Sequence, residues 1–190
     1  VLPKGNNLSL YLLELFTSRV AKVGMTDGIR QVLQEESDAL RAYYEQAGIL
    51  IARPAGETSC RLAISAKGGT NAENHNHNDV GSYAVALGSE TMVGDQGGPN
   101  SYPGDYFNGD APQKYKIKGS FGHPVPVVDG RTQSSGGKAK GVVLQKEFTN
   151  EKDVFSIDYT SAYSTPNLDK LIRTFVYDRQ GEGNLSLIHI

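Results

Sequence analysis

The rhythm of apolar residues changes once along this chain, and that change limits the folds open to it. From Ala47 onward, apolar and β-branched residues come in short runs or in alternation, over 47–52, 61–66, 82–87, 91–93, 125–128, 141–148, 154–160 and 171–178, with Gly, Pro and Asn between them. Side chains of an extended strand point alternately to opposite faces, so these runs suit strands. With no helical stretch between them, they predict an antiparallel sandwich or barrel. Upstream, Leu8, Leu10, Leu12, Leu13, Leu15, Phe16 and Val20 fit a helix, and Val32, Leu33, Leu40 and Tyr43 fit helical packing over 29–44. The fold class predicted is therefore mainly β: a two-sheet antiparallel β-sandwich over 46–190, preceded by a short helical segment over 1–45, with the boundary near Glu45.

A chain of 190 residues with 38% hydrophobic residues can bury one domain core, or one domain plus the stub of another. The formal net charge is −2, the pI is near 6.1 and no block of Lys and Arg occurs, so the electrostatic footprint of a nucleic-acid binder is missing. A polyanion would have to bind at a local basic cluster. No membrane span is expected. The single Cys60 excludes an intrachain disulfide framework and says nothing about export. Val1 starts the chain without a Met or a recognisable signal peptide, so the N-terminus reads as open. The last hexapeptide, Leu185 to Ile190, admits two readings: a short closing strand, or the translated end of a transposase adapter used in DNA library preparation. Under both, His189 receives no role.

The chemistry centres on Glu73-Asn74-His75-Asn76-His77-Asn78-Asp79. Two His separated by one residue face the same side of an extended strand, and metal chelation needs that convergence. Imidazole suits zinc best among common ions, with Asp or a third His completing the set. Only His123 remains as a further His once His189 is set aside, and Asp95 ends the run Thr91-Met92-Val93 ahead of Gly97-Gly98, well placed to project into a site. A lone His such as His123 is more often a surface or hydrogen-bonded residue; the paired His-x-His among Asn and Asp favours metal or catalysis. Glycine, 22 residues in all, concentrates between Gly68 and Gly141. Within that region, 94–122 is rich in Gly, Pro, Asn, Asp and Tyr, as functional loops often are. Lys138 and Lys140, beside Gly136-Gly137, read as a solvated turn.

Three known patterns share these residues. The metallo-β-lactamase pattern His-x-His-x-Asp-His breaks where Val80 follows Asp79. The cupin pattern matches from Gly69 to His75 but lacks the following Glu, since Gly81, Ser82 and Tyr83 occupy that region. The third match is longer. NAENHNHNDVGSYAVAL, then VGDQGG, then the stretch Tyr102 to Tyr115, then GHPVPVVDG resembles, over about Ala47 to Tyr177, the C-terminal sandwich domain of heparinase II/III-like polysaccharide lyases. That resemblance implies one zinc ion, structural in role, held by His77, Asp95 and His123. It also implies an active-site role for His75 and a substrate-facing Tyr, best matched by Tyr106 with Tyr102 and Tyr115 as rivals. Asp79 would fix local backbone or a His tautomer.

The implied reaction is β-elimination on a uronic-acid-containing polysaccharide of glycosaminoglycan or alginate type. The proton beside the carboxylate is very weakly acidic, so the charge that develops as it leaves needs cationic or hydrogen-bonding stabilisation. A Tyr can serve as base where nearby positive charge favours its phenolate, and as phenol it can protonate the leaving oxygen. In such lyases further catalytic residues come from an α/α-toroid domain ahead of the sandwich, so residues 1–45 would be the tail of that partner domain. The resemblance also implies a periplasmic or secreted location. A different class remains open: a non-catalytic carbohydrate-binding or structural module with zinc stapling its loop. A cupin-like metal enzyme, which would need a compact barrel with its ligands inside, is a third reading.

Overall fold

The computed structural model describes residues 39–56, 58–94, 98–99 and 101–189. The expected helices before residue 39 lie outside these residues. Strands β1 (Arg41–Tyr44), β2 (Ile49–Ala52), β3 (Leu62–Lys67), β5 (Tyr83–Leu87) and β6 (Glu90–Val93) form one sheet in the order β1-β2-β3-β5-β6. Strands β8 (Val142–Phe148), β9 (Lys152–Asp158), β10 (Ile172–Asp178) and β11 (Asn184–His189) form a second, in the order β11-β10-β9-β8. All pairings are antiparallel. A two-stranded ladder of β4 (Thr70–Asn71) and β7 (Gly136–Lys140) lies beside them.

Alternation along these strands builds one core between the two sheets. Leu50 and Ala52 of β2, Ile64 and Ala66 of β3 and Val85 of β5 share a buried cluster with Phe155 and Ile157 of β9 and with Phe175 and Tyr177 of β10. This is the two-sheet antiparallel sandwich that the strand pattern predicts. Aromatic edges cross the interface: Tyr43 meets Phe148 and Phe155 at 5.7 and 5.8 Å between centroids, and Tyr83 meets Phe175 at 5.7 Å. The Tyr177 hydroxyl, rooted in one sheet, donates to Leu62 O in the other at 2.5 Å.

One ion-pair cluster closes the sandwich at its β1 corner. Asp153 of β9, 1% exposed, accepts from Arg41 Nε of β1 at 2.9 Å and from Arg179, which follows β10. Arg179 also donates to Arg53 O at 2.6 Å and Leu40 O at 3.0 Å, and Arg53 Nη1 donates to Ala39 O at 3.0 Å. Because the cluster joins backbone of one sheet to a buried carboxylate of the other, it fixes where the chain enters the sandwich.

That clamp corrects the expected helix at its end. Residues Arg41–Tyr44 are a strand, paired from Arg41↔Ala52 to Tyr44↔Ile49. Glu45 therefore sits in the turn of the β1–β2 hairpin, and the sheet begins before the expected boundary. Strand pairing and the Asp153 contact override a helical spacing of apolar residues that local sequence alone supports. Two further expectations change. Residues 125–128 supply only an isolated bridge, Val128↔Arg131, and Lys138 and Lys140 belong to β7. Residues Asn184–His189 pair along β10 as a closing strand. No helix among the described residues is long and apolar enough to cross a membrane.

Replacing Asp153 by Ala leaves the nearly buried Arg179 without its carboxylate, a change that costs about 3–5 kcal/mol. Urea unfolding should show that loss, and adding Arg179→Met should recover part of it because the stranded charge is then gone.

Candidate functional site

The His-bearing segment is a loop between β4 and β5, held at its neck by side-chain amides. Asn71 Oδ1 accepts from Asp79 N at 3.2 Å, while Asn71 Nδ2 donates to Gln133 Oε1 at 3.0 Å and Ser134 O at 2.8 Å. Gln133 treats Val80 as a strand neighbour would: its Oε1 accepts from Val80 N at 3.0 Å and its Nε2 donates to Val80 O at 2.7 Å. Asn78, 1% exposed, donates from its backbone to Lys118 O at 2.7 Å and from Nδ2 to Gln133 O and Ser135 Oγ, both at 3.1 Å. Buried amides with several satisfied bonds hold a loop in one geometry, since each unmade bond would leave a desolvated polar group.

This tethering bends the motif away from a regular strand. His75 has φ of +58°, in the left-handed region where a residue with a side chain is strained, so the two imidazoles do not follow strand alternation. His75 turns outward, exposed, and its ring stacks on Phe107 at 4.3 Å between centroids with 29° between planes. His77 turns the other way. Its Nδ1 lies 3.0 Å from Nε2 of His123, a residue 46 positions away in sequence. His123 follows Gly122, where any Cβ would come within 2.3 Å of Ile117 O, so the close packing of that turn requires glycine.

Two imidazoles sharing a tetrahedral zinc at about 2.0–2.1 Å would hold their nitrogens roughly 3.3 Å apart. The observed 3.0 Å approach is near that spacing and is also short enough for a direct hydrogen bond. The structure thus brings His77 and His123 together from distant segments. Asp95, the third residue implied as a ligand, lies outside the described residues. Among the described residues, no group of three or more His, Cys, Asp and Glu side chains could hold a metal ion.

Among the described residues Asp79 makes no hydrogen bond to either imidazole; its carboxylate accepts from Lys67 Nζ of β3 at 2.6 Å, with Glu73 3.5 Å from the same amine. It therefore braces the loop against the sheet. Burial draws the Lys67 pKa down, but Asp79 and Glu73 outweigh that and hold it above its ordinary value of 10.5.

The three tyrosines differ sharply. Tyr106 is 1% exposed, lies edge-on to His77 at 6.3 Å, and its hydroxyl has no hydrogen-bond partner among the described residues. Desolvation, with a smaller contribution from Tyr102, holds its phenol above the usual range. Tyr115 donates to Asp105, which Lys114 also contacts, and those two hydrogen bonds hold the Asp105 carboxyl below the usual range, Lys114 first. Tyr102 is exposed and packs 4.9 Å from Tyr106 and 5.1 Å from Phe107. Exposed Phe107 and Tyr102, with His75 stacked on the former, make an aromatic face on this loop, and Phe121 beside Lys116 adds another exposed ring.

Gln133, Asn71, Phe107 and Lys118 carry much of this geometry and have no motif that announces them. The only available signal for Lys118 is the alternation of basic and aromatic residues in Tyr115-Lys116-Ile117-Lys118. The fold and site together define an antiparallel sandwich bearing a paired-His loop beneath an aromatic face. No protein-family model matches the chain, and a search of curated proteins finds no relative.

Gln133→Leu removes both bonds to Val80 and one of the two that Asn71 Nδ2 donates; about 2–4 kcal/mol of stability should be lost in urea unfolding, given the cost of buried unpaired groups. The Val80 amide should lose hydrogen-exchange protection first. Lys67 supplies a pH test. Its folded pKa is raised, so its contribution is fully present below the unfolded value of 10.5 and is lost as pH rises through the higher folded value. The difference in unfolding free energy between the wild type and Lys67→Met should stay level below pH 10 and shrink at more alkaline pH.

Proposed function

We propose that this chain is the sandwich part of a heparinase II/III-like polysaccharide lyase that cleaves uronic-acid-containing polysaccharides by β-elimination, acting with an upstream α/α-toroid domain in a periplasmic or secreted protein. The observation that carries the reading is the convergence of His77 and His123 from distant segments directly beside His75 and the aromatic loop. It is the arrangement that the resemblance implies for those three residues. The same resemblance supplies the substrate class.

In this reading His77, Asp95 and His123 hold one zinc ion, whose role is to staple the loop to the strands. His75, exposed against Phe107, meets the substrate and stabilises the charge that develops beside the uronate carboxylate as the proton leaves. Tyr106 serves at the proton-transfer position, protonating the leaving glycosidic oxygen as a phenol. Its hydroxyl is buried as the loop stands, so the loop must open or shift for Tyr106 to reach a sugar. Toroid residues supply the remaining proton transfer. Phe107 and Tyr102 offer apolar faces to sugar rings, and Lys116 offers local positive charge on a chain of net charge −2.

A second reading keeps the saccharide and drops the chemistry: a carbohydrate-binding or structural module. The complete burial of Tyr106 alongside exposed Tyr102, Phe107 and Phe121 favours it. The cupin-like alternative finds less support, because His75 and His77 lie on a loop rather than on strands facing a barrel interior.

In the full-length enzyme joined to its toroid, activity on heparan-type and alginate substrates is read from the ultraviolet absorbance of the unsaturated product. His75→Ala should cut turnover by about 100-fold or more, the scale of a lost charge-stabilising group, with zinc content and melting temperature nearly unchanged. His77→Ala should lower all three. Tyr106→Phe should lose rate with little loss of stability. Full activity in both His75→Ala and Tyr106→Phe would leave the binding module as the better reading, and undiminished zinc in His77→Ala would move the metal elsewhere.

A further inference from the structure

Lys118 is 2% exposed, yet no carboxylate among the described residues pairs with it. Its amine donates to Tyr106 O at 2.7 Å and lies 4.6 Å from the Tyr106 ring centroid and 5.1 Å from that of Phe107. An ammonium taken out of water costs several kcal/mol unless partners replace the solvent. Here the partners are one carbonyl and two π faces, whose negative quadrupoles attract the cation. Desolvation accordingly lowers the Lys118 pKa. At its other end the residue accepts the Asn78 N–H at its own carbonyl, 2.7 Å away. Lys118 therefore touches both halves of the site: through its backbone the His-bearing loop, and through its ammonium the aromatic loop that covers it.

We propose that Lys118 is a positioning residue, whose buried ammonium draws Tyr106 and Phe107 down against the paired-His loop and so seats the Phe107 ring on His75. A neutral side chain of the same length would leave the Asn78 bond in place but remove the cation's pull on both rings, leaving them to their ring contacts with Tyr102, Tyr115 and His77. The consequence for a ligand rests on the proposed saccharide reading: a stacked His75 and Phe107 form one surface for a sugar, and separated they do not. The placement itself does not rest on that reading, and its test uses no ligand.

Nuclear magnetic resonance of the 190-residue chain, with histidine ring carbons labelled, reads the stack directly. A phenyl ring parallel to the His75 imidazole shifts its ring protons upfield, and Phe107→Leu assigns how much of that shift the stack produces. In Lys118→Met the upfield shift should be lost, while resonances of Phe155 and Tyr177 in the core stay in place. Lys118→Arg, which keeps the cation, should restore it. Persistence of the shift in Lys118→Met overturns the proposal, and so does its failure to return in Lys118→Arg. Collapse of the core resonances in Lys118→Met would make the residue a determinant of the whole fold and would overturn it as well. Failure of saccharide binding or cleavage would bear on the proposed function and leave this result standing.

Discussion

The amide of Gln133 makes the same two bonds to Val80 that a neighbouring strand would make, and the geometry of the His-bearing loop depends on that substitution. Among the described residues the buried stretch 78–80 has no strand partner, so its backbone groups need side-chain and loop partners. Gln133 satisfies Val80, steadies Asn71, and through its own backbone carbonyl receives Asn78. Val80 is at the same time part of the core between the sheets. The loop is therefore tied to the core between the sheets through Gln133 and Val80, which helps an irregular loop hold its side chains in one geometry.

Two lysines, half-buried Lys67 and buried Lys118, show opposite ways of placing positive charge near this loop. Lys67 is matched by Asp79 and Glu73 and acts as a brace between sheet and loop, its charge largely cancelled by its partners. Lys118 is left with a carbonyl and two aromatic faces. At short range in a medium of low polarity, a charge without a counterion is felt more strongly than one in a pair. The loop is thus anchored by the Lys67 pair and held by a lysine that no carboxylate among the described residues neutralises, and the aromatic face gains both its position and its electrostatic character from the second.

Much of the sandwich was legible because strand alternation is a local property: Leu50, Ile64, Phe155 and Phe175 announce themselves by spacing and size alone. The errors fell where distant contacts outweigh local preference. Residues 41–44 carry a helix-compatible pattern but pair with β2 under the hold of Asp153, and Lys138 and Lys140 extend a ladder whose partner, β4, is only two residues long and leaves no periodic trace. At the site, His75 and His77 were visible as a pair, but their divergence was not, because it depends on the positive φ at His75 and on bonds from Asn71, Gln133 and Lys118.

The sequence by itself determined that this chain forms an antiparallel two-layer β structure and that two histidines stand one residue apart among Asn and Asp, since alternation and residue type act within a few positions of one another. Only the tertiary structure decided that His77 meets His123, that His75 stacks on Phe107, and that a buried lysine joins the two loops. Those outcomes require segments 12 to 46 positions apart to meet at ångström accuracy. Spacing along a chain carries no such information, because the closure is made by packing and by the need to satisfy every buried polar group.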